Sequence, residues 1–571
     1  MINNLDVLIA EKQKTIRVAQ GLEKADVVIK NATYANFFTN TWEHGDIAIT
    51  QGRIAGIGSY SGIVEISADG KWVAPSFIDG HIHLESAMVT PCEFAQAVLP
   101  HGTGAVVADP HEIANVLGVT GIEYMLKAAQ NLPLDVWLMA PSCVPATAED
   151  ESGATLTHED LLPILKQTQV LGLAEMMNYP GVLAGDEGVL AKLVVAEQLG
   201  KPIDGHAPGL AGASLCAYAG SGIASDHECT TLEEARDKLR LGQWVMIREG
   251  TAAKNLQALA PLLRYPFCDR CLFVCDDKHP ESLIADGHMD YMIRKAVALG
   301  ADPLIALKSA SYNAAHAFGL RNHGAIAPGY AADIVILNDI TDFGVACVLK
   351  HGKIVYDGKN VAFSSPPVDE ALYGKVSNTF NISPVTPQAF KRNEPAGVIE
   401  LVEGQIITRD GGVAKSVDIT KNLLKIAVLE RHRHTGHIGI GYIKGYGLTS
   451  GAVATSIAHD SHNIIVVGCS DDDMACAVND VIAMQGGIAI SENKRIVNRL
   501  RLSIAGLIST EPLMDVSTKL EEMKQSVRRL GVSAQIDPFM TLSFISLPVI
   551  PSLRILTTGV FDVTQWKYKT H

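Results

Sequence analysis

Between Trp72 and Asp277, eight apolar, β-rich runs each end on a polar or ionisable residue, and this rhythm constrains the fold more than any other feature. Trp72 to Gly80 ends at His81-Ile82-His83. Thr103 to Ala108 runs into Asp109-Pro110-His111-Glu112, Leu134 to Ala140 into Pro141-Ser142, and Val170 to Ala174 into Glu175. Pro202 to Gly205 meets His206, Gly222 to Asp226 meets His227, Trp244 to Ile247 meets Arg248-Glu249, and Cys271 to Cys275 meets Asp276-Asp277. These ends lie roughly 20 to 35 residues apart, enough for the dozen or more residues that a crossover between parallel strands requires. Thr230 to Leu241 is expected to fill one interval as an amphipathic helix, with Glu233, Glu234, Arg236 and Lys238 on its polar side. Eight βα units close into a barrel whose chemistry gathers at the carboxyl ends of its strands. The expected fold is α/β, with a (β/α)8 barrel over residues 75–323.

A chain of 571 residues with 47% apolar content is too long for a single core. Residues 1–74 and 324–383 read as two segments of one small β-sandwich, because short β-rich runs there are punctuated by Gly and Pro. Residues 384–571 mix strands with helices, one of them expected from Thr518 to Leu530, and read as a C-terminal α+β domain. The formal charge of -15 argues against a nucleic-acid partner, which would require clustered Lys and Arg. Met1 to Gln20 lacks the apolar stretch of a secretory leader, and Leu542 to Val560 is broken by Pro548, Pro551 and Arg554, so no membrane span is expected. Ten scattered cysteines suit a reducing cytoplasm. Cys268, Cys271 and Cys275 form the one cluster, without an evident fourth soft ligand.

The strand ends themselves carry metal chemistry. His81 and His83 stand two residues apart on an extended segment and so point the same way. With Glu175, His206, His227 and Asp276 they make six imidazole or carboxylate ligands of the kind that suit Mn, Fe, Zn or Co. Such a site lowers the pKa of bound water from about 15.7 toward 7. A carboxylate such as Asp276 can both ligate and carry the water proton. The implied reaction is metal-assisted hydrolysis at an electrophilic carbon. Asp109, His111 and Glu112 either orient the ligand histidines or shape a turn at the Asp-Pro pair. Ser86 and Arg248 are candidates for contact with the substrate. His432, His434, His437, His459 and His462 read as loop or interface residues, or as part of a loop from Ser456 to Asn463 that closes over the barrel mouth.

From about Ala25 to Asp357 the chain resembles the amidohydrolase superfamily, through the H-x-H pair, His206, His227 and Asp276. Within it, the chain is similar to the adenine deaminase family over nearly its whole length. The likeness rests on Pro75 to Ser86, Asp109-Pro110-His111-Glu112, Gly172 to Met177, Cys275-Asp276-Asp277 and Ser456 to Asn463. The resemblance implies hydrolysis of adenine to hypoxanthine and ammonia in purine salvage, by a cytoplasmic homodimer. It also implies two metal ions, Mn2+ first, with Fe2+ or Zn2+ as alternatives. In this assignment His81, His83 and Asp276 hold one ion, His206 and His227 the other, and Glu175 bridges them.

Two departures bear on mechanism. Glu175 stands where many two-metal members carry a carboxylated lysine, and a glutamate bridges without modification. Single-metal adenosine deaminases protonate the ring from a glutamate three residues after the fifth-strand histidine, where this chain has Gly209. Asp276 is then the first choice as proton shuttle, with Glu85, Glu112 or Glu249 behind it. A second deaminase architecture, with a P-C-x-x-C zinc site, is not matched by Pro266-Phe267-Cys268-Asp269-Arg270-Cys271. Two other readings remain open at the level of sequence: hydrolysis of another cyclic amide or aminated heterocycle, and a non-catalytic scaffold.

Overall fold

A computed structural model describes residues 5–363, 369–403, 405 and 407–569. Eight parallel strands follow one another in the central region: β1 (Phe77–His83), β2 (Thr103–Ala108), β3 (Asp135–Ala140), β4 (Val170–Met176), β5 (Ile203–Gly205), β6 (Ser225–Asp226), β7 (Trp244–Arg248) and β8 (Cys271–Val274). Every residue of β1, β2, β7 and β8 is buried, as expected of strands covered on both faces. The ladder runs from β5 through β4, β3 and β2 to β1, and β1 pairs on its far side with Asp276–Asp277, just beyond β8. A second ladder joins β6, β7 and β8. The seam between β5 and β6 is bridged by the Ala224 N–H, which donates to Ile203 O at 3.0 Å. Gly205 permits that approach, since a Cβ there would lie 2.3 Å from Ser225 O. The helix expected across Thr230 to Leu241 forms as Leu232–Arg240, and Thr231 caps it by accepting the Glu234 N–H.

The segments flanking the barrel join in one eight-stranded sheet. Its long strand Ala25–Asn36 pairs with Gly62–Ser67 along its first half and Trp72–Pro75 along its second. Trp72–Pro75 in turn pairs with Ile334–Leu337, which stitches the segment before the barrel to the one after it. The layers of the expected sandwich are therefore continuous, curled around a core that includes Ile29, Ile47, Ile54, Val73, Ile334 and Leu349. Buried Lys350 ties this sheet to the barrel, pairing with Asp333 at 2.7 Å and with Asp135 of β3 at 2.6 Å.

Residues beyond 384 build a second eight-stranded sheet with the helix Asp471–Met484 against it. The helix expected from Thr518 spans Leu513–Arg529, because Pro512 fits at its start and Leu513 and Val516 extend its apolar stripe by more than a turn. This domain reaches the barrel at several points. Ser509 N–H donates to Met88 O, Lys524 pairs with Glu281 at 2.5 Å, and His437 Nδ1 lies 2.8 Å from Glu151 Oε1. Among the described residues, no helix is long and apolar enough to cross a membrane.

Candidate active site

The carboxyl ends of the barrel strands bring six sequence-expected ligands together. His83 Nε2 lies 3.3 Å from Glu175 Oε1 and 3.0 Å from Asp276 Oδ1. His81 Nε2 lies 3.7 Å from each of the same two oxygens and is buried without a hydrogen-bond partner among the described residues. On the other side of Glu175, Oε2 stands 2.7 Å from His206 Nδ1 and 3.3 Å from His227 Nε2. Those two nitrogens are 3.3 Å apart. One carboxylate thus serves two neighbouring sets of donors.

Hydrogen bonds behind the ligands select the tautomers. His81 Nδ1 meets Asp204 Oδ2 at 2.9 Å and His83 Nδ1 meets Asp109 O at 3.0 Å. Each contact calls for a proton on Nδ1 and leaves the Nε2 lone pair aimed into the site. The unpartnered Nε2 of His81, together with this donor chemistry, fits a divalent transition-metal ion. Burial alone would push Glu175 and Asp276 upward. The imidazoles around Glu175, and Arg248 with the imidazoles around Asp276, outweigh it and hold both carboxyls well below the usual range.

The other expected residues fall into distinct places. Arg248 Nη1 pairs with Asp276 Oδ2 at 2.6 Å and grips Glu228 with both terminal nitrogens. Ser86 Oγ donates to Asp277. Asp109 holds His111, with His111 Nδ1 2.9 Å from its Oδ2, and the same nitrogen is 3.5 Å from Glu175 Oε1. Glu85 is buried; Oε1 accepts the Ile113 N–H, while Oε2 has no hydrogen-bond partner among the described residues. Burial and the nearby Glu112 charge push its carboxyl up to about 7. Glu249 joins neither donor set. It pairs with Lys295 at 2.6 Å and accepts the Leu256 N–H, because it follows Arg248 on an extended strand and so faces the opposite way.

Glu112 is engaged by the C-terminal domain. Its Oε1 accepts from His459 Nδ1 at 2.6 Å, its Oε2 from His462 Nε2, and His111 Nε2 lies 3.4 Å away. Burial would raise this carboxyl, yet the histidines hold it well below its ordinary value. The Ser456–Asn463 loop therefore lies at the barrel mouth. His437 pairs instead with Glu151, and His432 Nε2 bonds Ser461 O within the C-terminal domain. Sequence reasoning did not single out Asp204 or Glu228. Asp204 was signalled by its spacing, two residues before His206, and Glu228 by adjacency to His227, with its Oε1 3.5 Å from His227 Nε2.

Comparison with known proteins shows what the chain as a whole is similar to. The amidohydrolase family matches residues 72–355, and the adenine deaminase C-terminal domain matches residues 400–567. The chain is 46% identical to "Adenine deaminase 2" of Carboxydothermus hydrogenoformans, over 96% of this chain and 97% of that protein. It is 43% identical to the adenine deaminase of Desulfatibacillum aliphaticivorans, covering 97% of this chain and 98% of that one. The adenine deaminase of Clostridium acetobutylicum is also 43% identical, over 97% of this chain and 99% of its own. With both domains matched and full-length relatives well above 30% identity, the chain belongs to the adenine deaminase family of amidohydrolases.

Proposed function

We propose that this chain catalyses the hydrolytic deamination of adenine to hypoxanthine and ammonia, using Mn2+ in preference to Fe2+ or Zn2+. The observation that most supports this is the sharing of Glu175 between two donor sets, in a chain whose full-length relatives bear the name adenine deaminase. His81, His83 and Asp276 would hold one ion and His206 and His227 the second, with Glu175 common to both. Ions held there would supply water acidified to a pKa of about 7.

The protein's own groups do the rest. Asp276 presents Oδ1 to the site while Arg248 fixes Oδ2, so the oxygen that would hold an ion is also the one placed to take a proton from water and pass it to the departing amino group. Ammonia is a poor leaving group until it is protonated. Of the carboxylates behind Asp276, Glu249 is tied to Lys295 and Glu112 to two imidazoles. Glu85, with one buried oxygen unpartnered, is left to hold a proton for the ring. The reading carries with it a cytoplasmic place of action, in keeping with ten cysteines that form no disulfide, and a homodimer, which sedimentation would test.

Ammonia release from adenine by protein purified with added manganese tests the proposal, with adenosine and cytosine run alongside. Turnover of adenine alone supports it. Stoichiometric metal with no turnover of any of the three would mean that another ring is the substrate.

A further inference from the structure

Two imidazoles from the C-terminal domain meet one carboxylate of the barrel, and they play different parts. His462 Nδ1 accepts the Ala458 N–H at 3.2 Å, so its proton must sit on Nε2, the nitrogen that donates to Glu112. A metal ion between His462 and Glu112 would require that Nε2 be unprotonated and Nδ1 protonated against a backbone donor. The Glu112, His459 and His462 cluster is therefore a hydrogen-bonded clamp and not a third metal site.

His459 is placed differently. Its Nδ1 proton is given to Glu112, its ring stacks on Phe544 with centroids 4.5 Å apart, and its backbone N–H donates to Ser543 O. The ring is thus fixed on one edge and one face. Nε2, at the opposite edge, takes no hydrogen bond among the described residues, and the side chain keeps 8% of its surface accessible. Glu112, which holds it, is next to His111, and His111 is 3.5 Å from the shared Glu175. A buried, doubly pinned imidazole with one unused nitrogen beside a metal-binding pocket is arranged to bind a ligand.

We propose that His459 is a substrate-binding residue supplied by the C-terminal domain, its Nε2 hydrogen-bonding a ring nitrogen of the aminated heterocycle, an inference that rests on the deaminase reading above. Glu112 is then its positioning residue. Burial lowers the affinity of His459 for a proton, but the Glu112 charge reverses this and raises its pKa to about 9. At neutral pH Nε2 therefore carries a proton and donates to an acceptor nitrogen.

Substitution by an amide separates this role from a structural one. The Asn amide nitrogen stands in for Nδ1 and keeps the bond to Glu112, while nothing replaces Nε2. His459→Asn is expected to lower kcat/KM by roughly 10- to 100-fold, mainly through KM, the loss of one hydrogen bond to a charged group. Metal content should match the wild type, while the melting temperature should fall modestly through loss of the stack on Phe544. Unchanged KM and kcat in a folded, metal-replete variant overturn the proposal. Should that variant fail to fold, carbethoxylation of His459 in the wild-type holoenzyme near its pKa of about 9, where part of the imidazole is unprotonated and reactive, mapped by mass spectrometry with and without saturating hypoxanthine, tests the same contact. Protection by hypoxanthine supports it, and no ligand-dependent change overturns it. Wild-type protein that releases no ammonia from adenine overturns the deaminase reading itself. Wild-type turnover alongside a fully active His459→Asn overturns only the part assigned to His459.

Discussion

Arg248 Nη1 lies 2.6 Å from Asp276 Oδ2, and the same guanidinium grips Glu228 beside His227. One cation thereby fixes a carboxylate of the first donor set and the neighbour of a histidine in the second. Asp276 is left with a single oxygen facing the site, in a backbone conformation with φ at 63° that side chains rarely adopt. The surrounding pairs hold it there.

Asp276→Asn keeps the shape and the bond geometry around Arg248 but removes the base. Turnover is expected to fall by about 10²- to 10⁴-fold, the usual contribution of a positioned acid or base. Metal content should be largely retained. Near-normal activity would sink the assignment of Asp276 as the shuttle.

Glu175→Gln weakens both donor sets at once, because each of its oxygens faces a different pair of imidazoles. Elemental analysis should find about one metal ion or fewer per chain, against about two in the wild type. Chelation should lower the melting temperature of the wild type, since an ion at 100 times its Kd stabilises the folded state by about 2.7 kcal/mol. The variant should respond less. A variant that binds metal as fully as the wild type would refute the sharing.

Glu85→Gln can still hydrogen-bond but cannot release a proton. A fall in kcat of about 10²-fold or more at unchanged metal content is expected from a proton donor to the ring. Wild-type kcat would return the whole proton path to Asp276.

Asp333 tests the seam between sheet and barrel. Burial would raise its carboxyl, but Lys350 outweighs it and holds the pKa below the usual value. A depressed carboxyl contributes stability above its unfolded pKa, about 3.9, and that contribution is lost as pH falls toward the folded value. Asp333→Asn should therefore destabilise the protein at pH 7 by roughly 1.5–3 kcal/mol, as for other hydrogen bonds to charged groups. The gap in melting temperature between variant and wild type should narrow below about pH 4. A gap independent of pH would assign the loss to packing.

What was legible in the sequence was whatever local periodicity controls. His81 and His83 announce themselves because alternation on a strand is fixed by backbone geometry, and Glu175, His206, His227 and Asp276 because parallel strands of a barrel all end on one side. The same alternation, applied strictly, separates Arg248 from Glu249, whose partner Lys295 lies 46 residues away. The engagement of Glu112 was not legible. Its partners His459 and His462 sit 347 and 350 residues further on; a Ser456–Asn463 loop over the barrel mouth was among the expectations, but no local pattern encodes which strand-end residue it lands on. Continuity of the flanking sheet was hidden for a related reason: the strand Ala25–Asn36 changes partner halfway along, at a shift in register.

The distance along the chain between Glu112 and His459 also has a meaning in time. At about 5–20 residues per second, a ribosome needs roughly 20–70 s to reach His459 after Glu112 has been made. All six barrel ligands precede that moment, Asp276 being the last of them. During each synthesis the residues proposed to hold metal exist for many seconds before the loop that covers them. Any ion that these residues hold would thus have its first opportunity to reach them before the loop lies across the mouth.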